Sequence, residues 1–288
     1  LFILMNLNIK NITFIIVSFK SENVIYDCIN SLPENSNKII IENSKNIKLK
    51  NDLESKYDNI EVLMSENSGM GTSNNIGIKK ANTEFAYVLN PDVKFKKDTF
   101  EKLQISCQKI EDFAILSPVH SEENFPNYKS DKNFLNQNII SVDSIDGFSM
   151  LINKKKFKDQ NFFDENIFLY LENDDLCLRA KERGDHIYVV KDSLIDHLGA
   201  SSVQLKKINS IEYLRNWHWM WSKFYFNKKH YGFLKAFFSI FFNIFSANVK
   251  YIFYLVTFNS HKKEIYKMRF LGAFNSIIGN NSFFRLDD

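Results

Sequence analysis

The chain has 288 residues, with 37 Lys and Arg against 34 Asp and Glu, for a formal net charge of +3. That balance argues against a nucleic-acid-wrapping surface and gives no global reason for an acidic partner, while the length suits one large α/β domain with a smaller appendage. Three cysteines, Cys28, Cys107 and Cys177, lack CxxC spacing, which argues against a disulfide framework or a zinc site and suits a reducing compartment.

Residues 1–7 are apolar but carry neither a basic start nor a small-residue cleavage site. They read as a leader to the first strand rather than a signal peptide, with Met5 as a natural start. From there to residue 116, strand and helix patterns alternate. Residues 12–17 read as a strand, 23–31 as a helix stopped by Pro33, and 38–41 as a strand opening onto Glu42-Asn43-Ser44. A short helix over 49–57 and a third strand over 60–64 follow. Thr72 or Ser73 caps a helix running to about residue 81. Next comes the all-apolar strand Phe85-Ala86-Tyr87-Val88-Leu89, of the kind covered on both faces in a parallel sheet. Pro91 ends that ladder because it has no N–H to donate. Asp98 caps a helix to residue 110, and 113–116 forms a strand. Such alternation predicts crossover units and a mainly parallel sheet.

Residues 118–145 read as a polar, strand-poor surface excursion. A strand resumes at 147–152, an acidic cluster opens a helix through residue 183 that Gly184 terminates, and 187–190 is the last strand. No internal repeat is visible. Beyond about residue 205 the chain turns helical and aromatic, with many of its 28 phenylalanines after position 224. Leu234, Phe237, Phe238, Phe241, Phe242 and Phe245 form one face of an amphipathic helix, opposite Lys235, Ser239, Asn243, Ser246 and Lys250. No window reaches about 18 uninterrupted apolar residues, so a clean membrane span is not expected. The expected division is a catalytic domain over residues 10–225 and a helical region over 226–288.

Polar residues end four of the expected strands: Ser18, Glu42-Asn43-Ser44, the 66–71 loop and Asn90-Pro91-Asp92. In a doubly wound sheet they line one edge, where open α/β sheets bind ligands. Ser18 and Glu42 would meet a nucleotide first, although Glu42 and Asn43 also suit a simple turn. The loop from Glu66 to Asn75 enters a helix N-terminus, and Gly69 and Gly71 permit close approach of phosphate to backbone N–H groups. It matches neither a P-loop nor a full dinucleotide fingerprint. Asp92 suits a hard divalent ion, Mg or Mn, neutralising a diphosphate, and His197 is a candidate imidazole ligand. In Glu172-Asn173-Asp174-Asp175, three acids at a helix start complement the dipole. Beside Asp92 and His197, one of them instead reads as the base that takes a proton from an acceptor hydroxyl.

Several segments occur together and in order: Ile15-Ile16-Val17-Ser18-Phe19, Ile41-Glu42-Asn43-Ser44, Glu66-Asn67-Ser68-Gly69 through Asn75-Ile76-Gly77, Leu89-Asn90-Pro91-Asp92, Asp146-Gly147, Phe168-Leu169-Tyr170 with the acidic cluster, and 197–202. In this the chain resembles the inverting family 2 glycosyltransferases of GT-A fold, particularly their bacterial rhamnosyltransferase-like branch, over residues 12–216. The resemblance implies a Rossmann-like, mainly parallel sheet flanked by helices, followed here by the aromatic-rich helical extension. It implies a nucleotide-diphospho-sugar donor, dTDP-rhamnose or a UDP-sugar, and a glycan or lipid-linked acceptor. Asn90-Pro91-Asp92 stands at the family's DxD metal motif, and Glu42 where an aspartate usually contacts the nucleotide. Asn74 and Asn75 match a pair near the donor sugar and diphosphate, and His197 a metal ligand of some relatives. Glu212-Tyr213-Leu214-Arg215-Asn216 is similar to a segment that follows the catalytic domain in the rhamnosyltransferase-like members.

The chain departs from that pattern at Asn173, where the family's usual base is an aspartate. The role passes to Glu172, Asp174 or Asp175, with Asp174 or Glu172 favoured, or activity is impaired. Two other functions stay open: a catalytically impaired carbohydrate-binding or scaffold protein of a polysaccharide assembly, and a sugar nucleotidyltransferase. For the latter, Ser18-Phe19-Lys20-Ser21-Glu22 lacks the basic Gly-rich loop expected after the first strand. Residues 233–259 are expected either to pack as a helix pair or to lie in the plane of the cytoplasmic membrane face. The second option rests on the flanking Lys228, Lys229, His230, His261, Lys262, Lys263, Lys267 and Arg269.

Overall fold

A computed structural model describes residues 6–122, 124, 126–130, 137–157, 159–199 and 208–285. Expectations attached to residues 1–5 and 200–202 lie outside them. Two compact units are present: Leu1–Asp164 with Asn173–Gln204, and Glu165–Glu172 with Leu205–Asp288.

In the first unit, β1 (Ile12–Ser18), α1 (Ile25–Ser31), β2 (Asn37–Glu42), α2 (Ile47–Lys56), β3 (Ile60–Met64), α3 (Met70–Lys80) and β4 (Phe85–Leu89) alternate. Strands β3, β2, β1 and β4 lie side by side and parallel, with Ser18 opposite Glu42 and Ile16 opposite Leu89. Every residue of β1 and β4 is buried, as their unbroken apolar runs require. Phe14 and Ile16 face one core with Ile40, Leu53, Tyr87 and Leu103. Ile15 and Val88 face the other, with Ile78 and Leu176. Gly77 lets α3 approach β1, because a Cβ there would stand 2.4 Å from Ile15 Cγ2.

The chain then departs from simple alternation. Asn90-Pro91-Asp92-Val93 is a turn closed by Val93 N–H donating to the Asn90 carbonyl at 3.2 Å, and it feeds a short strand the sequence did not suggest, β5 (Val93–Phe95). After α4 (Thr99–Cys107) come β6 (Ile115–His120), β7 (Tyr128–Lys129), β8 (Ile139–Ser141), β9 (Ser144–Ile145) and β10 (Ser149–Asn153). Among its described residues the expected strand-poor stretch therefore holds three short strands, β7 pairing with β9 and β8 with the last strand of the sheet. Strand β10 runs antiparallel between β4 and β6, so the sheet is mixed.

Helix α5 (Glu172–Glu182) ends at Gly184, whose φ of +82° closes the C-terminal turn. Strand β11 (Ile187–His197) is longer than the expected 187–190. A bulge between Val190 and Leu194 accommodates Lys191-Asp192-Ser193, and the strand resumes beside β5 with His197 opposite Val93. Asp98 does occupy the N-cap of α4, but its carboxylate pairs with Lys102 at 2.6 Å rather than with backbone.

The second unit holds α6 (Ile208–Tyr231), α7 (Phe233–Val256) and α8 (Ser260–Ile277). Its boundary lies before α6 rather than at 225/226, because α6 runs unbroken across that position. Gly272 of α8 meets α6 backbone to backbone: a Cβ there would lie 2.1 Å from the Trp217 carbonyl oxygen. The segment 165–172 docks on α6, where Ser222 Oγ donates to the Leu169 carbonyl at 2.7 Å and Phe168 stacks near His218. His218 is fully buried; its Nε2–H donates to the Phe284 carbonyl at 2.8 Å and its Nδ1 accepts from Ser282 at 2.9 Å.

Helix α7 packs through Ala236, Ile240 and Ala247 and turns its large residues outward, Leu234, Phe238, Phe242 and Phe245 among the most exposed. It is, by length and composition, apolar enough to cross a membrane, although polar residues interrupt the apolar run.

Candidate active site

The carboxyl edge of the four parallel strands collects buried polar atoms that the fold leaves without hydrogen-bond partners. Asp92 is 1% exposed, and neither carboxylate oxygen has one among the described residues. Its neighbour is the His197 imidazole, with Nε2 3.3 Å from Oδ1. The β5–β11 ladder brings the two together, and Leu198 N–H locks the join by donating to the Asp92 carbonyl at 3.2 Å. A buried carboxylate without a hydrogen-bond partner is costly, which makes Asp92 a candidate to hold a cation.

The same edge continues through Ser18, Glu42, Asn43, Thr72 and Asn74. Ser18 Oγ, Glu42 Oε2, Asn43 Oδ1, Thr72 Oγ1 and Asn74 Oδ1 are all buried and unpartnered. Glu42 and Asn43 are each anchored through their other polar atom. Glu42 Oε1 accepts from Ser44 N–H at 2.7 Å, and Asn43 Nδ2 donates to Ser73 Oγ at 2.7 Å. Gly69, with φ of +104°, is the N-cap of α3, so the helix begins at Met70 and Thr72 and Ser73 lie in its first turn rather than capping it. Asn90 contributes backbone: its N–H donates to the Phe148 carbonyl at 3.0 Å and its carbonyl accepts from Cys28 Sγ at 3.6 Å. Burial, with a smaller contribution from Asp92, pushes the Cys28 thiol up, so it stays neutral.

Other candidate residues are engaged elsewhere. The Asn75 amide is committed to backbone, donating to the Phe163 carbonyl at 2.8 Å and accepting from Phe163 N–H at 2.9 Å. It stitches α3 to Phe163 rather than facing a ligand. Asp175 is fully buried and paired with Arg179 at 2.8 Å, which also donates to the carbonyls of Asn161 and Phe162. That makes it a structural ion pair, not a base. Asp174 binds Lys129 through both oxygens, at 2.9 and 3.1 Å. Glu172 opens α5 and belongs with the second unit, within electrostatic reach of Tyr170. Asn173 donates to the Ile145 carbonyl at 2.8 Å, with its Cβ against Gly147.

Asp146 was absent from the candidate residues, though Asp146-Gly147 lies within a family-like segment. Burial raises its carboxyl pKa; Lys129 and His197 oppose the rise and Asp174 adds to it. Those influences place Asp146 in one electrostatic neighbourhood with His197 and Asp174.

Among the described residues no three His, Cys, Asp or Glu side chains gather tightly enough to hold a metal alone. The donor set still fits a hard divalent ion that keeps sites for phosphate oxygens and water: one orphaned buried carboxylate and one adjacent imidazole.

The family model of glycosyl transferase family 2 matches residues 13–174. The low-salt glycan biosynthesis hexosyltransferase Agl10 of Haloferax volcanii is 26% identical over 200 residues, 62% of this chain and 64% of that protein. The chain thus spans just under two thirds of that relative's length. Among solved structures, the mannosyltransferase PcManGT of Pyrobaculum calidifontis, in complex with GDP-Man and Mn2+, is similar at a TM-score of 0.56 and 9% identity. That likeness covers 92% of this chain and 86% of PcManGT. GalNAc-T7, solved with UDP, GalNAc and Mn2+, gives a TM-score of 0.55 at 13% identity, over 85% of this chain and 58% of that one. At such identities the likeness shows the fold, which is GT-A. With the matched region covering more than half its length, the chain belongs to glycosyl transferase family 2.

Proposed function

We propose that the protein is an inverting hexosyltransferase of glycan biosynthesis, moving a sugar from a nucleotide-diphospho-sugar to a hydroxyl of a glycan or lipid-linked acceptor. The observation that carries this reading is the buried carboxylate of Asp92, without a hydrogen-bond partner among the described residues and beside His197, at the carboxyl edge of the parallel strands. Family membership and the hexosyltransferase relative support the class of reaction. The nucleotide-sugar and Mn2+ bound by similar structures support the donor and the ion.

In this reading, Asp92 and His197 hold Mg or Mn. The bound ion supplies charge neutralisation for a diphosphate leaving group. The unpartnered Ser18, Glu42 and Asn43 oxygens accept donors of a base and ribose, and Asn74 faces the sugar or diphosphate. A dTDP- or UDP-linked sugar suits Glu42, whose free oxygen accepts a pyrimidine N–H; dTDP-rhamnose would fit the rhamnosyltransferase-like branch. A carboxylate at the head of α5, Glu172 or Asp174, takes the acceptor proton, and Asp174 does so by exchanging Lys129 for the hydroxyl. Attack in line with the departing diphosphate then inverts the anomeric centre without a covalent enzyme intermediate.

Asn173, whose amide is committed to the Ile145 carbonyl, favours a second reading, a scaffold without transferase activity. Incubation with a panel of nucleotide-sugars and Mn2+ separates the two. Release of nucleoside diphosphate, lost in Asp92→Ala, is expected; a folded protein that neither transfers nor hydrolyses any donor contradicts the enzyme reading.

The outward face of α7 supports peripheral attachment to the cytoplasmic side of a membrane. Phe238, Phe242 and Phe245 are exposed while Lys235 and Lys250 lie over the rings of Tyr231 and Tyr266. Apolar side chains flanked by basic and tyrosine residues suit an anionic bilayer interface, with the helix in its plane.

A further inference from the structure

Histidines that hold metals are usually oriented by a hydrogen bond from the second ring nitrogen to a carboxylate or carbonyl. Here, among the described residues, no hydrogen bond reaches His197 Nδ1. The ring lies instead flat on Phe148, centroids 4.0 Å apart and planes 18° from parallel. His120 stands edge-on to the same phenyl ring, at 6.4 Å and 85°. His197 N–H donates to His120 Nε2 at 3.2 Å, and Glu122 N–H donates to His120 Nδ1 at 3.1 Å, which ties the His120 ring to the segment that carries His197. Phe148 is also fixed at the other end of the site, because its carbonyl accepts from Asn90 N–H at 3.0 Å, two residues before Asp92. One residue thus touches both segments that bring the imidazole and the carboxylate together.

We propose that Phe148 is the positioning residue of this site: its ring sets the plane of the His197 imidazole so that Nε2 stays turned toward Asp92. Among the described residues, this stacking is the contact that restrains the imidazole torsion. The inference rests on the reading of Asp92 and His197 as a cation site.

The test is titration of the full chain with Mn2+, alone and with UDP, following the free-Mn2+ electron paramagnetic resonance signal. Phe148→Leu, which removes the ring, is expected to weaken binding about 10- to 100-fold, the usual effect of losing a residue that orients a ligand. Phe148→Tyr, which keeps the ring, should bind as the wild type does. In a His197→Ala background, Phe148→Leu should cause no further loss, since its effect passes through the imidazole. Unchanged affinity in Phe148→Leu, a loss in Phe148→Tyr, or an equal further loss in the His197→Ala background overturns the proposal. If the leucine variant does not fold, the tyrosine variant decides. A wild-type chain that takes up no Mn2+ overturns the cation-site reading itself and this inference with it.

Discussion

At the scale of single residues, the sequence displayed the chemistry but not the commitments of each side chain. Asp92 was legible because a proline follows a five-residue apolar strand and leaves an acid at its end. Asn75 was not, because its partner Phe163 comes from a loop whose placement no spacing reveals, whereas Asp175 and Arg179 stand at i,i+4 on α5, a pairing that helix spacing alone offers. Asn173 is the sharpest case. Its Nδ2 donates to a carbonyl, and a carboxylate at the same place would face that oxygen with another acceptor. Asn173→Asp, which restores the family residue, is therefore expected to lower stability by about 1–3 kcal/mol, the cost of a broken, partly buried hydrogen bond. Urea unfolding measures that loss. The same variant should not raise turnover; a gain in transfer rate without loss of stability would show that the amide has no structural task.

At the scale of elements, the parallel half of the sheet was readable because its strands are unbroken apolar runs between helical patterns. The antiparallel half was not. Strand β11 hides its length behind the polar bulge Lys191-Asp192-Ser193, and β5, β7, β8 and β9 are too short to show a period. The price of that missed register was the route by which His197 reaches Asp92. Two glycines set helix approach and give a direct check. A methyl at Gly272 would meet backbone, which cannot rotate away, whereas at Gly77 it meets the Ile15 side chain. Gly272→Ala should cost at least the upper part of the roughly 1–3 kcal/mol usual for overpacking, and Gly77→Ala less. Denaturation midpoints that reverse this order would contradict the close packing of α6 and α8.

His218 gives the second unit a pH dependence. Burial lowers its pKa from 6.5 to about 4. The unfolded chain therefore takes up a proton that the folded one refuses as pH falls from 6.5 toward 4. Stability is full above that window and declines within it, by about 3 kcal/mol at most. His218→Gln, followed by thermal unfolding across pH 7 to 4, should flatten the decline; an unchanged slope would assign it to other groups.

At the scale of the whole molecule, the two units divide the work by composition. The first gathers, among its described residues, buried polar atoms without hydrogen-bond partners on one sheet edge. In the second, α7 packs through Ala236, Ile240 and Ala247 and leaves phenylalanines outside, the reverse of a core helix. Replacing Phe238, Phe242 and Phe245 by Ser removes exposed apolar surface without touching Ala236, Ile240 or Ala247. The variant should stay folded and lose co-sedimentation with phosphatidylglycerol vesicles, while neither protein should bind phosphatidylcholine vesicles to the same extent. Equal sedimentation of variant and wild type on anionic vesicles would remove α7 as the attachment face.

The central claim is that Asp92 is a buried carboxylate held, beside His197, for a cation. It is tested most directly by urea unfolding of the wild type and Asp92→Asn, each with and without Mn2+ and UDP. Without ligand, removing a buried unpartnered charge should stabilise the variant by about 1–2 kcal/mol, and only the wild type should gain stability from Mn2+. An asparagine variant that is less stable than the wild type, and that Mn2+ stabilises equally, would contradict the account.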